Sequence, residues 1–129
     1  MSNIPKIVHV EDEGAIVSLM RDAMKILRID VDIIETNNVA DGMAAVRAHN
    51  PDLVLLDLML PGRNGWELVD EIRAEEAYKD LPIIVLTVRP PDEERMQGGR
   101  VDEVQEFITK PFSVLQLGEA IQKYVKPEN

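Results

Sequence analysis

The feature that most constrains this chain is the segment LVLLDLMLPGRNG at residues 53–65. Four apolar residues without polar alternation lead directly into Asp57. An apolar run of this kind predicts a strand buried on both faces, as in parallel sheets that are covered by helices. Pro61, Gly62 and Gly65 then turn the chain, and a helical pattern begins at Trp66. Asp57 should therefore lie at the carboxyl edge of a sheet, where open α/β folds bind their ligands.

Strand-like and helical segments alternate along the whole chain. The strand-like segments lie at residues 6–10, 31–35, 53–57, 81–87 and 106–109. Between them, apolar residues recur at spacings of three and four, which is typical of one face of a helix. This alternation with short connections predicts a doubly wound parallel sheet with helices on both faces.

The helix ends carry recognisable signals. Glu11, Asp12 and Glu13 are expected in the first turn of the first helix, where the helix dipole favours negative charge. Asn37 or Asn38 is expected to cap the second helix, and Ser113 the last. The pattern is poorest over residues 88–106, which Pro90-Pro91 and Gly98-Gly99 interrupt. There the acids at 92–94 predict only a short capped helix.

Composition narrows the class of protein. With 129 residues, we expect a single domain over residues 1–129 and no further output domain. No apolar run approaches the roughly 18 residues of a membrane helix, and no signal-peptide pattern is present, so we expect a cytoplasmic protein. The chain has no cysteine and only two histidines, which disfavours thiol chemistry and zinc sites. A net charge of −10 disfavours direct binding to nucleic acid or membranes.

Four of the predicted strands end in chemically useful side chains, namely Glu11 with Asp12, Asp57, Thr87 and Lys110. Taken singly, each has an ordinary explanation as a helix cap or a solvated loop residue. Parallel strands place their carboxyl ends at one edge, so together these groups can converge. Three neighbouring carboxylates repel one another unless a cation such as Mg²⁺ compensates them. An ionised Asp beside Mg²⁺ can attack a phosphoryl group, with the lysine ammonium neutralising charge and the threonine donating a hydrogen bond.

Taken together, these segments resemble the receiver domains of two-component response regulators, the CheY-like family. The resemblance covers essentially the whole chain. It rests on VHVED at 8–12, PDLVLLD at 51–57 with MLP at 59–61, LT at 86–87, and FITKPF at 107–112. It implies a flavodoxin-like (βα)5 fold with strand order 2-1-3-4-5.

The resemblance also implies roles for individual residues. Asp57 would be the phosphoacceptor, assisted by Thr87 and Lys110. Mg²⁺ would be held directly by Asp12 and Asp57, by Glu11 through water, and by the backbone carbonyl of Met59. Such a domain catalyses only its own phosphorylation and dephosphorylation, so we do not expect an enzyme acting on other molecules.

Two further residues resemble the family's switch pair. Thr87 would move toward the phosphoryl group, and the ring of Phe107 would turn inward behind it. The alternative reading of Phe107 is an ordinary core residue. The family also usually has a cis peptide bond at the position of Lys110-Pro111.

Partners follow from the same resemblance. The phosphoryl donor would be a sensor histidine kinase or a histidine phosphotransfer protein. The output surface would be formed by the fourth helix, fifth strand and fifth helix, and its target is unknown. We expect a monomer or a weak dimer that depends on phosphorylation.

The chain departs from the family pattern in three places. Val88 stands where the family usually has Ala or Gly, and could narrow access to the site. Glu103-Val104 replaces a small Gly-Ala pair before the fifth strand, which makes the fourth helix the least certain element. Met59 and Arg89 occupy positions that influence loss of the phosphoryl group in the family. Since Met59 cannot hydrogen-bond an attacking water, we predict a long-lived phosphoryl state.

Three other functions compete with this one. A pseudo-receiver that binds partners without phosphorylation is disfavoured, because all five site residues are retained. A haloacid-dehalogenase-type phosphatase would need a second Asp at the position of Met59. A nucleotide-binding domain would need a G-x-G-x-x-G or G-K-[ST] loop, and the sequence contains neither. His9 is expected in a buried strand and His49 on a helix surface, with no functional role.

Overall fold

A computed structural model describes residues 4–96 and 98–125 of the chain. Strands and helices alternate, and two short 3-10 helices, Glu76–Tyr78 and Val101–Glu103, interrupt the second half. The strands are β1 Lys6–Val10, β2 Asp32–Thr36, β3 Leu53–Asp57, β4 Ile83–Thr87 and β5 Glu106–Thr109. The helices are α1 Gly14–Ile26, α2 Val39–His49, α3 Gly65–Ala74, α4 Pro91–Met96 and α5 Val114–Gln122.

The five strands form one sheet in the order β2-β1-β3-β4-β5, and every neighbouring pair is parallel. This confirms the predicted doubly wound sheet and its order. The chain direction along the sheet reverses after β2, so β1 and β3 are neighbours at its centre. A crevice at the carboxyl edge is expected at such a switch point.

An apolar cluster lies on each face of the sheet, and β3 contributes side chains to both. Val54 and Leu56 enter the cluster on the side of α2 and α3. Leu53 and Leu55 enter the cluster on the side of α1 and α5. Every residue of β3 and of β4 is buried, as the uninterrupted apolar runs predict. Each fully buried leucine contributes about 1.5–3 kcal/mol, so this layer holds the two central strands rigidly.

The helix boundaries confirm some end signals and correct one. Asn38 caps α2 by accepting a hydrogen bond from the Asp41 amide, and Ser113 caps α5 in the same way. The acids before α1 do not lie in its first turn, because the helix begins at Gly14 after them. The chain turns away from helical geometry at Glu13, where ψ is 112°. That turn leaves Glu11 and Asp12 at the sheet edge instead of on a helix.

Two strands begin later than predicted. β2 covers Asp32–Thr36, one residue beyond the predicted segment, and β4 begins at Ile83. Pro82 has no amide hydrogen for a sheet ladder. Its carbonyl still accepts a hydrogen bond from Val54.

The two histidines lie where the sequence predicts. His9 is 1% exposed within β1. His49 is exposed at the end of α2.

Residues 88–96 and 98–105 include the short α4 and a 3-10 turn, and α3 contacts the end of this segment. Arg73 of α3 donates to the Glu103 carbonyl from Nε (3.1 Å) and Nη2 (2.8 Å), and to the Tyr78 carbonyl from Nη1 (2.9 Å). The Gln105 side chain accepts from the Ile83 amide at 2.7 Å. These contacts hold the backbone at residues 103–104 in place, although Glu103 and Val104 are larger than the Gly-Ala pair that the family pattern favours.

Within the described residues, no helix is long and apolar enough to cross a membrane.

Candidate active site

The predicted strand-end residues converge at one edge of the sheet. Glu11 follows β1, Asp57 ends β3, Thr87 ends β4 and Lys110 follows β5. Glu11, Asp57 and Thr87 are each at most 2% exposed. Asp12 is exposed beside them. The structure therefore places the strand-end residues of the predicted acceptor site at one edge of the sheet.

Asp57 is held by the loop that follows β3. Its Oδ1 accepts a hydrogen bond from the Met59 amide at 2.9 Å, and the Gly65 amide closes the loop onto the Leu58 carbonyl at 2.9 Å. A Cβ at Gly65 would lie 2.7 Å from Leu58 Cα and 2.9 Å from the Asp57 carbonyl oxygen, so only glycine fits there. Asn64 then starts α3 with a capping box.

Lys110 is the cation at the centre of the cluster. Its Nζ lies 3.4 Å from Asp57 Oδ2, Glu11 Oε1 and Glu13 Oε1. Burial alone would lower the pKa of Lys110, but the charges of the three carboxylates outweigh burial and raise it. The ammonium group is therefore charged at neutral pH.

The backbone around Lys110 also holds the cluster. Its amide donates to the Thr87 carbonyl at 2.7 Å. The bond to Pro111 is cis, as the resemblance implies.

Glu11 carries the strongest electrostatic perturbation of the site. Burial, together with the nearby Asp57 carboxylate, raises its pKa to about 8 despite the opposing charge of Lys110. The single positive charge of Lys110 thus does not fully offset the negative charge of the buried carboxylates at this edge.

A cation site fits the donor set. Oxygen atoms of Glu11, Asp12 and Asp57 lie within 4.8 Å of one another. Carboxylate oxygens are the ligands that hard divalent cations prefer, and Mg²⁺ uses few of them while keeping water in its shell. The exposed Asp12 gives such a shell access to solvent.

Asp12 also lines an open cleft of about 430 Å³ beside the cluster. The other lining residues are Leu58, Met59, Leu60, Pro61, Asn64, Arg89 and Glu94. Met59 and Val88, which flank the cleft and the end of β4, are 59% and 60% exposed. The cleft beside the cluster is therefore open to solvent.

The predicted switch pair lies on neighbouring strands. The Thr87 hydroxyl accepts a weak hydrogen bond from the Arg89 amide at 3.4 Å. Phe107 of β5 is half-buried, and its ring centroid lies 6.2 Å from that of Trp66. Phe107 thus packs against the core cluster of α2 and α3.

Two acids at or near the site were not predicted to be there. Glu13, expected in a helix turn, faces Lys110. Glu94, expected only as a helix cap, is 6% exposed and accepts a hydrogen bond from Trp66 Nε1 at 2.8 Å. A helix as short as α4 has too little periodicity to reveal a buried face, so no sequence signal marks Glu94.

Comparisons with known proteins agree with the family resemblance that the sequence motifs indicate. A family model described as "Response regulator receiver domain" matches residues 7–122. The phosphate regulon transcriptional regulatory protein PhoB of Pseudomonas aeruginosa is 35% identical over 111 residues, which cover 86% of this chain and 47% of that protein. The chain spans about half the length of the curated relatives it matches.

Two solved structures have the same fold. The phosphorylated cyanobacterial phytochrome response regulator RcpA is 28% identical, with a TM-score of 0.77 and coverage of 95% of this chain and 94% of that one. The receiver domain of sensor histidine kinase PA1611 from Pseudomonas aeruginosa was solved with a magnesium ion in its active-site cleft. It is 23% identical, with a TM-score of 0.79 and coverage of 94% and 97%.

Proposed function

This chain belongs to the response regulator receiver domain family, and we propose on this premise that it is a phosphorylation-controlled switch in which Asp57 accepts the phosphoryl group. The observation that carries the proposal is the 3.4 Å approach of Lys110 Nζ to Asp57 Oδ2 within a buried acidic cluster. A buried carboxylate beside a lysine whose side chain is only 10% exposed supplies an acceptor and a charge that neutralises the transferred group.

The transfer needs few protein groups. An Asp57 oxygen forms the new P–O bond while the P–N bond of the donor phosphohistidine breaks, and the departing imidazole keeps the electron pair. Lys110 lies where its ammonium can neutralise the phosphoryl oxygens, and the Thr87 hydroxyl donates to one of them after a small movement. Positioning and neutralisation are the main demands of phosphoryl transfer.

The same residues fit Mg²⁺. Asp12 and Asp57 would hold the ion directly, Glu11 through a water, and Met59 through its backbone carbonyl. When bound, the ion would neutralise the carboxylates and the phosphoryl oxygens. The proposal is supported by the donor set of Glu11, Asp12 and Asp57 and by the raised pKa of Glu11.

The output follows from the positions of Thr87 and Phe107. A phosphoryl group on Asp57 draws Thr87 toward it, and the ring of Phe107 moves into the space behind. This movement would shift the equilibrium between two conformations of the α4-β5-α5 face. Because Phe107 contacts Trp66 of α3 and packs beside the segment before β5, its movement would reach α4.

The donor would be a sensor histidine kinase or a histidine phosphotransfer protein, and the target would be a protein that docks on the α4-β5-α5 face. The phosphorylated RcpA structure, of similar fold, supports an acceptor role for this site. The chain would act on no other substrate, since its chemistry ends with its own phosphorylation and dephosphorylation.

Incubation with Mg²⁺ and acetyl phosphate, followed by intact mass, tests the proposal. We expect an adduct of about 80 Da on the wild type and none on Asp57→Asn. The exposed Asp22→Asn is the matched control and should be modified like the wild type. An unmodified wild type, or an equal adduct on Asp57→Asn, would overturn the proposal in favour of a pseudo-receiver.

A further inference from the structure

Glu94 is a buried acid in a helix that is otherwise highly charged and exposed. Its side chain is 7% exposed, whereas its neighbours Asp92 and Glu93 are exposed to solvent. Oε1 accepts from Trp66 Nε1 at 2.8 Å, and Oε2 lies 3.4 Å from Arg89 Nη1. A buried carboxylate is stable only when it is paired and hydrogen-bonded, so these two partners hold the charge inside.

Arg89 connects this pair to the acceptor site. It lies two residues beyond Thr87, and its amide donates to the Thr87 hydroxyl at 3.4 Å. Its side chain lines the same cleft as Asp12 and Met59. The Arg89 side chain is 35% exposed, so part of it faces the solvent of that cleft.

Trp66 connects the pair to the output side. Its ring lies 6.2 Å from Phe107, and the turn after α4 is fitted against it. A Cβ at Gly99 would lie 2.9 Å from two atoms of the indole ring, and the Gly99 amide donates to the Glu94 carbonyl at 2.8 Å. The hydrogen bond between Trp66 and Glu94 therefore joins the short α4 to α3.

We propose that Glu94 is a positioning residue: it holds Arg89 away from the acceptor site in the unphosphorylated state and passes phosphorylation of Asp57 on to α4. The inference rests on the proposed function. A phosphoryl dianion on Asp57 attracts Arg89 from Glu94. The carboxylate of Glu94 then keeps the Trp66 hydrogen bond but loses its cation, and its burial becomes unfavourable. The docking of α4 on Trp66 loosens as a result.

Linkage sets the sign of the effect. If phosphorylation breaks the Arg89–Glu94 pair, the pair stabilises the unphosphorylated state relative to the phosphorylated one. Removing the charge of Glu94 should therefore favour phosphorylation while it weakens the response of α4. Glu94→Gln removes the charge but keeps the hydrogen bond, since its amide oxygen can still accept from the indole of Trp66.

The experiment compares wild type, Glu94→Gln and the matched control Glu93→Gln, an exposed acid of the same helix. Phosphorylation by acetyl phosphate is followed by intact mass, and α4 is followed by the fluorescence of Trp66, the one tryptophan of the chain. For Glu94→Gln we expect the half-saturating acetyl phosphate concentration to fall about threefold, the effect of losing one partly exposed ion pair. The fluorescence change on phosphorylation should shrink to about half or less, and Glu93→Gln should match the wild type.

A second pair of variants separates coupling from structure. In Arg89→Met, adding Glu94→Gln should change neither the half-saturating concentration nor the fluorescence response, because the pair is already broken. A purely structural role would lower thermal stability without moving the half-saturating concentration. If Glu94→Gln matches Glu93→Gln in both readouts while Asp57 is phosphorylated, the inference is wrong and the proposed function stands. If the wild type gains no adduct, both fail.

Discussion

Lys110 Nζ lies 3.4 Å from Asp57 Oδ2, although 53 residues separate the two in the sequence. β4 lies between the strands that carry them, so the side chains meet across a third strand. The contact depends on the parallel register of all three strands, because a one-residue slip would turn either side chain to the other face. Chemistry at this edge is therefore a direct consequence of the sheet order.

The metal-free protein should lose stability as pH rises. The folded pKa of Glu11 is about 8 and its ordinary value is 4.5. Between these values the folded state retains a proton that the unfolded state has lost, so the free energy of unfolding falls with rising pH. We expect a loss of about 4 kcal/mol between pH 4.5 and 8 from this group. Urea denaturation in EDTA measures it. Glu11→Gln should remove this loss, the exposed Glu119→Gln should not, and a slope equal in both variants would contradict the assignment.

Magnesium should raise the thermal stability, because it binds only the folded cluster. An ion at about 100 times its Kd adds about 2.7 kcal/mol. Binding should tighten as pH rises toward 8, since the proton on Glu11 must leave before its carboxylate can accept hydrogen bonds from a metal-bound water and offset the charge of the ion. Calorimetric titration should show binding at least about tenfold weaker in Asp12→Asn, since a direct ligand is lost. Unchanged affinity in that variant would remove Asp12 from the site, and Asp22→Asn is its control.

The phosphoryl group should be lost slowly because of Met59. Its side chain is 59% exposed beside Asp57 but offers no strong donor or acceptor for water. Met59→Asn should speed dephosphorylation about fivefold, the effect of one hydrogen bond of about 1 kcal/mol in the transition state. Met59→Leu keeps the apolar character and should leave the lifetime unchanged. Equal decay of the intact-mass adduct in both variants would refute the role of Met59.

Gly65 should be irreplaceable for the geometry of the acceptor loop. A Cβ there would meet backbone atoms at 2.7 and 2.9 Å, and the backbone must shift to relieve the contact. We expect Gly65→Ala to cost about 1–3 kcal/mol in chemical denaturation. Gly14→Ala, with open space around its Cβ, should be neutral or slightly stabilising. Comparable stability of the two variants would mean that the loop adapts easily.

The four strand ends could be placed from the sequence because each depends on local information. Leu53 to Leu56 form an unbroken apolar run, and Asp57 ends it. Since all strands of such a sheet run in one direction, the order of elements alone brings Asp57 and Lys110 to one edge. Caps such as Asn38 and Ser113 were equally readable, since a cap bonds an amide only a few residues away.

The positions of Glu13 and Glu94 were decided by packing. Glu13 was assigned to a helix turn because its neighbours are acidic and a helix follows, but α1 begins one residue later and Glu13 turns toward Lys110. Glu94 belongs to a helix of six residues, too short for periodicity to reveal which side faces α3. Its burial depends on Trp66, which lies 28 residues earlier in the chain.

The sequence by itself thus determined the parallel sheet and the residues at its active edge, because strand runs, turns and caps act over a few residues. The strand order came from the resemblance to a family. Only the tertiary structure decided which groups surround Asp57 and to what they are connected. The pKa of Glu11, the three carboxylates around Lys110, and the contacts from Arg89 through Glu94 to Trp66 all depend on burial. Burial is set by how distant elements pack, and electrostatic effects grow steeply once water is excluded.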